Sequence, residues 1–239
     1  MIPPLPKDLS DIQADPVKLK SATKLINGVQ AYNSQAGSMV RYLGEFITLK
    51  CAPDMLAMKL FPNAKEISES FAAFEAVRRH LQELWLGDPT ITLIAVGDGG
   101  TPRTAATFAF RSNWLCHSID PNLRGGKLRW ANIARLTLHP DKVEDTPPID
   151  CKGSTAVIVA VHSHANLKNA ILAAANAHRI VVIAIPCCVP QKLSLEPDRW
   201  YDDKSVISPK RTVLIWKDIT GCSEFTQPKL FETDRRIWK

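Results

Sequence analysis

The chain has 239 residues, 45% of them hydrophobic and 23% charged, the balance of an ordinary globular protein, which excludes a disordered, collagen-like or coiled-coil chain. Lys and Arg number 30 against 24 Asp and Glu, and the net charge of +6 is compatible with a nucleic-acid partner without requiring one. No apolar run reaches the roughly 18–20 residues that span a bilayer, and the opening MIPPLPKDLSD has no apolar secretory core.

In chain order, the first 16 residues hold four prolines and are expected to run as an extended arm. A helical texture follows from Val17 to about Leu86, with a first helix over Val17–Arg41 interrupted by Gly28 and Gly37. The clearest helix starts after Asn63, where Asn63 with Glu66 three residues on reads as a variant capping box. Ile67, Phe71, Phe74, Val77, Leu81 and Leu84 then recur at spacings of three and four, one apolar face of a helix ending near Gly87. Residues 1–87 are expected to form an arm and helical extension, a route to a protein partner. Its basic residues, Arg41, Lys50, Lys59, Arg78 and Arg79 among them, form either a phosphate-facing surface or a solvated helix face.

At Ile91 the texture changes. The short β-branched runs Ile91–Val96, Trp114–Ile119, Thr155–Val161, Ile180–Ile185 and Thr212–Trp216, with a third strand presumed over Ile133–Leu138, are apolar at nearly every position. Such runs suit strands buried on both faces. Helix-length segments, Thr101–Arg111 and the alanine-rich Leu167–Ala177, lie between them. The alternation predicts an α/β fold over 88–239, a doubly wound Rossmann-like sheet flanked by helices. Pro186–Pro209 holds four prolines and few apolar residues and reads as a long loop.

Directly after the first strand comes Gly97-Asp98-Gly99-Gly100-Thr101-Pro102-Arg103, opening a helix. Glycines let the backbone turn sharply and approach a ligand, and a helix start offers free N–H groups. Asp120 stands at the end of the second strand, where an acid accepts the two hydroxyls of a ribose. Pro102 occupies the place of the third glycine in GxGxxG, which argues against a dinucleotide and an NAD-dependent oxidoreductase. S-adenosylmethionine carries no phosphate and needs only room for its amino-acid end and ribose. Gly97, Asp98, Gly99, Gly100 and Asp120 are therefore candidate cofactor-binding residues. Asp141, after the third strand, is a candidate for the adenine amino group.

The fourth strand runs into His162-Ser163-His164-Ala165-Asn166 and the fifth into Pro186-Cys187-Cys188, both at strand ends where open α/β sheets hold ligands. The stretch Thr155–Cys188 resembles a family of class I S-adenosylmethionine-dependent methyltransferases with a His-Ala-Cys-like motif after strand four and Pro-Cys-Cys after strand five. That family includes tRNA 2′-O-methyltransferases. The resemblance implies methyl transfer to RNA, with His162 and His164 on the acceptor side as positioning residues or proton acceptors and Pro186, Cys187 and Cys188 facing substrate. His164 and Ala165 depart from the family's small and cysteine positions. Ala95 stands where many methyltransferases carry an acid, and Asp98 is expected to replace it as the partner of the cofactor ammonium. A non-catalytic module that binds adenosylmethionine or another nucleotide as a partner subunit is the alternative.

The six cysteines, Cys51, Cys116, Cys151, Cys187, Cys188 and Cys222, include no CxxC pair, and with no secretory signal they are expected in a reducing, cytoplasmic setting. Adjacent cysteines are an awkward pair of ligands for one tetrahedral ion, so His162, His164, Cys187 and Cys188 are expected to hold no metal. His80, His117, His139 and His178 read as scattered surface or core histidines.

Overall fold

The computed structural model describes residues 40–123, 127–188, 193 and 195–220. The proline-rich arm and nearly all of the helix expected over Val17–Arg41 lie outside the described residues. Among the described residues three helices precede the sheet: α1 (Arg41–Thr48), α2 (Ala52–Ala57) and α3 (Ala64–His80). Asn63 is extended and its side chain accepts the Glu66 N–H at 3.1 Å, so α3 starts where the capping pattern places it. Arg78, Arg79 and His80 close it, at the end where the helix dipole favours cations. The helix stops short of Gly87 because Leu81 leaves helical geometry (φ −133°, ψ 46°). Leu81 and Leu84 stay buried in a turn fastened by Trp114 Nε1, which donates to the Trp85 carbonyl at 3.0 Å. The apolar period thus outlasts the helix that it marks.

The remaining elements are β1 (Thr92–Val96), α4 (Arg103–Arg111), β2 (Leu115–Ile119), α5 (Lys127–Trp130), β3 (Leu136–His139), β4 (Ile149–Asp150), β5 (Thr155–Val161), α6 (Leu167–Ala173), β6 (Ala174–Ala175), β7 (Arg179–Ile185), β8 (Arg199–Asp202) and β9 (Thr212–Trp216). One seven-stranded sheet runs β3-β2-β1-β5-β7-β9-β8. Neighbours from β3 to β7 are parallel, and β9 runs antiparallel to both β7 and β8. This is the Rossmann-like sheet of the class I methyltransferase fold, with its antiparallel strand inserted next to the edge.

Four expected boundaries move. β3 lies at 136–139 because Arg135 takes a left-handed conformation (φ 63°), and Ile133 is buried in the preceding turn instead of in the sheet. Helix α4 begins at Arg103, two residues late. The alanine-rich helix α6 ends at Ala173, and Ala174–Ala175 pairs with β4 as a two-stranded parallel ribbon. Within the expected loop Pro186–Pro209 lies β8, an edge strand with Trp200 exposed; one covered face requires few apolar residues.

Strand side chains alternate between two apolar layers. Leu93, Ala95, Val157, Val159, Val181 and Ile183 enter the layer capped by α3 and α4, while Ile94, Val96, Ile158, Ala160, Val182 and Ala184 enter the layer capped by α6. The expected boundary at 87/88 is not a gap in this packing. Phe71 and Phe74 of α3 belong to the same core as Leu93 and Val157, with the Phe74 and Phe108 rings 5.0 Å apart. Tyr42 donates to Asp203 at 2.6 Å, and the Ile207 N–H donates to Ser68 at 3.0 Å, tying 40–87 to the C-terminal segment.

Two predictions follow from this packing. Phe74→Ala should lower unfolding free energy by about 3–5 kcal/mol in urea titration, and a chain starting at residue 88 should show no cooperative thermal transition by circular dichroism. The second concerns His117 and His139, whose rings stack with Nδ1 and Nε2 3.0 Å apart. Burial, then the neighbouring His139, holds His117 down at about 4, against an ordinary 6.5. The unfolded chain takes up this proton first, so the stabilisation is complete above pH 6.5 and is lost as pH falls toward 4. The loss should be on the order of 3 kcal/mol between urea titrations at pH 7 and pH 4, and His117→Gln should shrink it.

Candidate functional site

A cleft of about 510 Å³ opens at the carboxyl ends of β1, β2 and β5. Gly97, Gly99, Arg103, Asp120, His162 and His164 line it, together with Lys142–Glu144 and Asn166. Parallel pairing carries these residues there: Val96 lies opposite Ile119, so Gly97 and Asp120 follow from adjacent strand ends.

Gly97 is left-handed (φ 68°), and a Cβ there would lie 2.1 Å from Ser163 Oγ. Glycine is required twice over, by conformation and by the approach of the β5 end. Gly99 is also left-handed (φ 81°), and its N–H donates to Asp120 Oδ2 at 2.8 Å. Asp120 Oδ1 accepts from the Asn122 N–H at 2.7 Å. A carboxylate oxygen accepts more than one hydrogen bond, so Asp120, facing the cleft, keeps acceptor capacity. Gly100 lies outside the cleft lining, and a Cβ there would meet only the Asn122 carbonyl at 3.5 Å.

Asp98 takes a different direction from the one expected. Its carboxylate accepts the N–H groups of Thr104 (2.9 Å) and Ala105 (3.1 Å) and the Ser118 hydroxyl (3.0 Å). It is 3% exposed and caps α4 from below. Burial pushes its carboxyl above the usual range, opposed by Arg103 and the helix N–H groups. Asp98 therefore does not face a cofactor ammonium, and two of the N–H groups expected to be free at the helix start are already satisfied. Asp141 is exposed at the start of its turn; Val143, buried on the α6 side, brings Lys142, Val143 and Glu144 over the cleft in its place.

His162 follows β5 in a left-handed conformation (φ 49°), with its N–H donating to the Ile185 carbonyl at 2.8 Å. Its Nε2 lies 3.1 Å from Oε1 of the fully buried Glu69, which also receives Lys65 Nζ at 3.0 Å. Burial, then the nearby Lys65, pushes the imidazole below its ordinary value, and burial pushes the Glu69 carboxyl up. Burial thus favours the uncharged form of His162. Arg103 Nε sits 2.7 Å from Glu66 Oε2. Four buried atoms of this group, Glu66 Oε2, Glu69 Oε2, Arg103 Nε and His162 Nε2, have no partner in hydrogen-bond geometry. Sequence reasoning missed Glu66, Glu69 and Arg103, because acids and arginines on an amphipathic helix read as its solvated face. His164, Cys187 and Cys188 are brought together beyond His162, while the cysteines lie outside the cleft lining.

Three arginines of the helical region gather on one acid. Glu75 Oε1 receives Arg41 at 2.6 Å and Arg79 at 2.5 Å, and Glu75 Oε2 receives Arg78 at 3.1 Å. Among the described residues no helix is long and apolar enough to cross a membrane.

No protein-family model and no curated protein match the chain. Among solved structures, a variant of MtNAS in complex with S-adenosylmethionine shares 14% identity at a TM-score of 0.38, covering 87% of this chain and 86% of that one. Phosphoethanolamine N-methyltransferase 1 of Haemonchus contortus, with phosphoethanolamine and S-adenosylhomocysteine, shares 12% at 0.39, covering 78% and 50%. Geranyl diphosphate C-methyltransferase from Streptomyces coelicolor A3(2) shares 15% at 0.31, covering 54% of each chain. The fold itself is carried by the strand order described above.

The two glycines separate by experiment. Gly97→Ala should destabilise by at least about 2 kcal/mol, from left-handed strain and the contact with Ser163. Gly100→Ala should stay within about 0.5 kcal/mol, as an ordinary surface change does. Paired thermal melts compare them.

Proposed function

We propose that this protein is an S-adenosylmethionine-dependent methyltransferase whose cofactor lies in the cleft at the ends of β1, β2 and β5. The observation that carries the reading is Asp120, a cleft-facing carboxylate beside the left-handed Gly97 and Gly99 turn, in the class I strand order. The residues fit the cofactor at its ribose, where Asp120 has acceptor capacity for the hydroxyls.

Bound adenosylmethionine supplies a methyl group already activated on a sulfonium. The chain's own work is then alignment of the acceptor and removal of its proton. Our reading assigns that proton to His162, whose burial favours the uncharged form, with His164 on the same side. RNA is the acceptor class that the His162 and Pro186-Cys187-Cys188 resemblance supports, together with the net charge of +6. One observation favours the non-catalytic alternative: Ala95 ends β1 and Asp98 is turned into α4, so neither supplies an acid to the ammonium.

Calorimetry with S-adenosylhomocysteine, then transfer of labelled methyl to total RNA, tests the reading. Asp120→Ala should weaken cofactor binding tenfold to a hundredfold, the worth of a charge-assisted hydrogen-bond pair of about 1.5–3 kcal/mol, and should also lower stability by about 1–3 kcal/mol, since the Gly99 and Asn122 N–H groups lose their acceptor. Asp98→Ala should lower stability by about 2–4 kcal/mol, since three buried donors lose their acceptor. Binding without transfer to any acceptor selects the module, and unchanged affinity in Asp120→Ala removes Asp120 from the site.

A further inference from the structure

β5 and β7 are parallel and in register to their last pair, Val161 opposite Ile185. Three residues beyond one end and two to three beyond the other, the chain therefore places His164 beside Cys187 and Cys188. The His162 N–H to Ile185 carbonyl bond closes the two strand ends onto each other just before these residues. His164 Nε2 lies 3.1 Å from Cys188 Sγ and 3.4 Å from Cys187 Sγ, and the two sulfurs are 3.6 Å apart.

We propose that His164, Cys187 and Cys188 form a binding site for a thiophilic divalent cation, Zn²⁺ by preference. Zinc bonds of about 2.3 Å to sulfur and about 2.0–2.1 Å to nitrogen set tetrahedral edges of about 3.8 Å between sulfurs and about 3.5 Å between sulfur and nitrogen. The separations within the cluster are of that size, so an ion can enter with shifts of a few tenths of an ångström. Adjacent cysteines meet one ion here because both thiols turn to the same side after β7, which spacing along the chain does not reveal. One nitrogen and two sulfurs form a soft donor set that selects zinc over magnesium or calcium. Two thiolates balance the charge of a divalent ion, and the exposure of His164 and Cys188 gives the ion a path in.

Among the described residues the cluster supplies three protein ligands, the number found in zinc sites that also hold an exchangeable ligand. His164 belongs also to the cleft wall, so the site borders the side assigned above to the acceptor. The metal site itself stands independently of the methyltransferase reading, since binding is measured without cofactor or acceptor.

The test is titration of the reduced, metal-free full chain with Co²⁺ as a spectroscopic stand-in, followed by displacement with Zn²⁺. One Co²⁺ per chain is expected, with a thiolate-to-cobalt charge-transfer band and intense tetrahedral d–d bands, both abolished by Zn²⁺. His164→Ala and Cys188→Ser, whose side chains are exposed, should keep the wild-type melting temperature of the metal-free chain and weaken binding roughly a hundredfold or more. Cys51→Ser should bind as the parent does. Absence of the charge-transfer band, or a band that survives the double change Cys187→Ser and Cys188→Ser, overturns the proposal.

Discussion

Because β1 and β2, and β5 and β7, are parallel and in register to their last residues, with Val96 opposite Ile119 and Val161 opposite Ile185, and β1 and β5 are parallel neighbours, the chain leaves these strands at one edge of the sheet. Much of the site lies within about three residues of those ends. The glycine turn follows β1, Asp120 follows β2, His162 and His164 follow β5, and the cysteines follow β7. Parallel pairing needs both faces of the sheet covered, which is why the strands read as continuous apolar runs. The same burial that makes the strands visible in the sequence forces their polar residues out to the ends.

Two carboxylates near the glycine turn show how partners divide roles. Asp98 and Asp120 are both nearly buried, yet Asp98 faces α4 and has three donors of its own protein around it. Asp120 receives two backbone N–H groups and borders the cleft. Asp98 fixes where the helix begins and so where the turn lies, while Asp120 remains available to a ligand. The turn is held from both sides, by Asp98 at its helix end and by Asp120 through Gly99.

Helix α3 joins core to site. Its apolar side packs Phe71 and Phe74 into the layer beside α4, and its first turns bring Glu66 to Arg103 and Glu69 to His162. Further along, Glu75 gathers Arg41, Arg78 and Arg79. A region that reads as an appendage therefore forms part of the cleft's surroundings. Its position follows from the need to cover one face of the sheet, an area too apolar to leave in water.

The sequence alone was sufficient for the α/β class, the five principal strands, the start of α3 at Asn63 and the glycine turn followed by Asp120. These are local signals: apolar period, capping chemistry and backbone permissiveness act over a few residues. It also singled out His162, His164 and Cys187-Cys188 as neighbours of a ligand edge. Only the tertiary structure turned Asp98 inward, moved the β3 turn so that Lys142–Glu144 displaced Asp141, and brought Glu69 against His162 across 93 positions of chain. Only the structure, too, set both thiols beside the imidazole. Such pairings depend on which strands are adjacent and in what register, and that is decided by burial of the whole sheet, to which no single segment's pattern is sensitive.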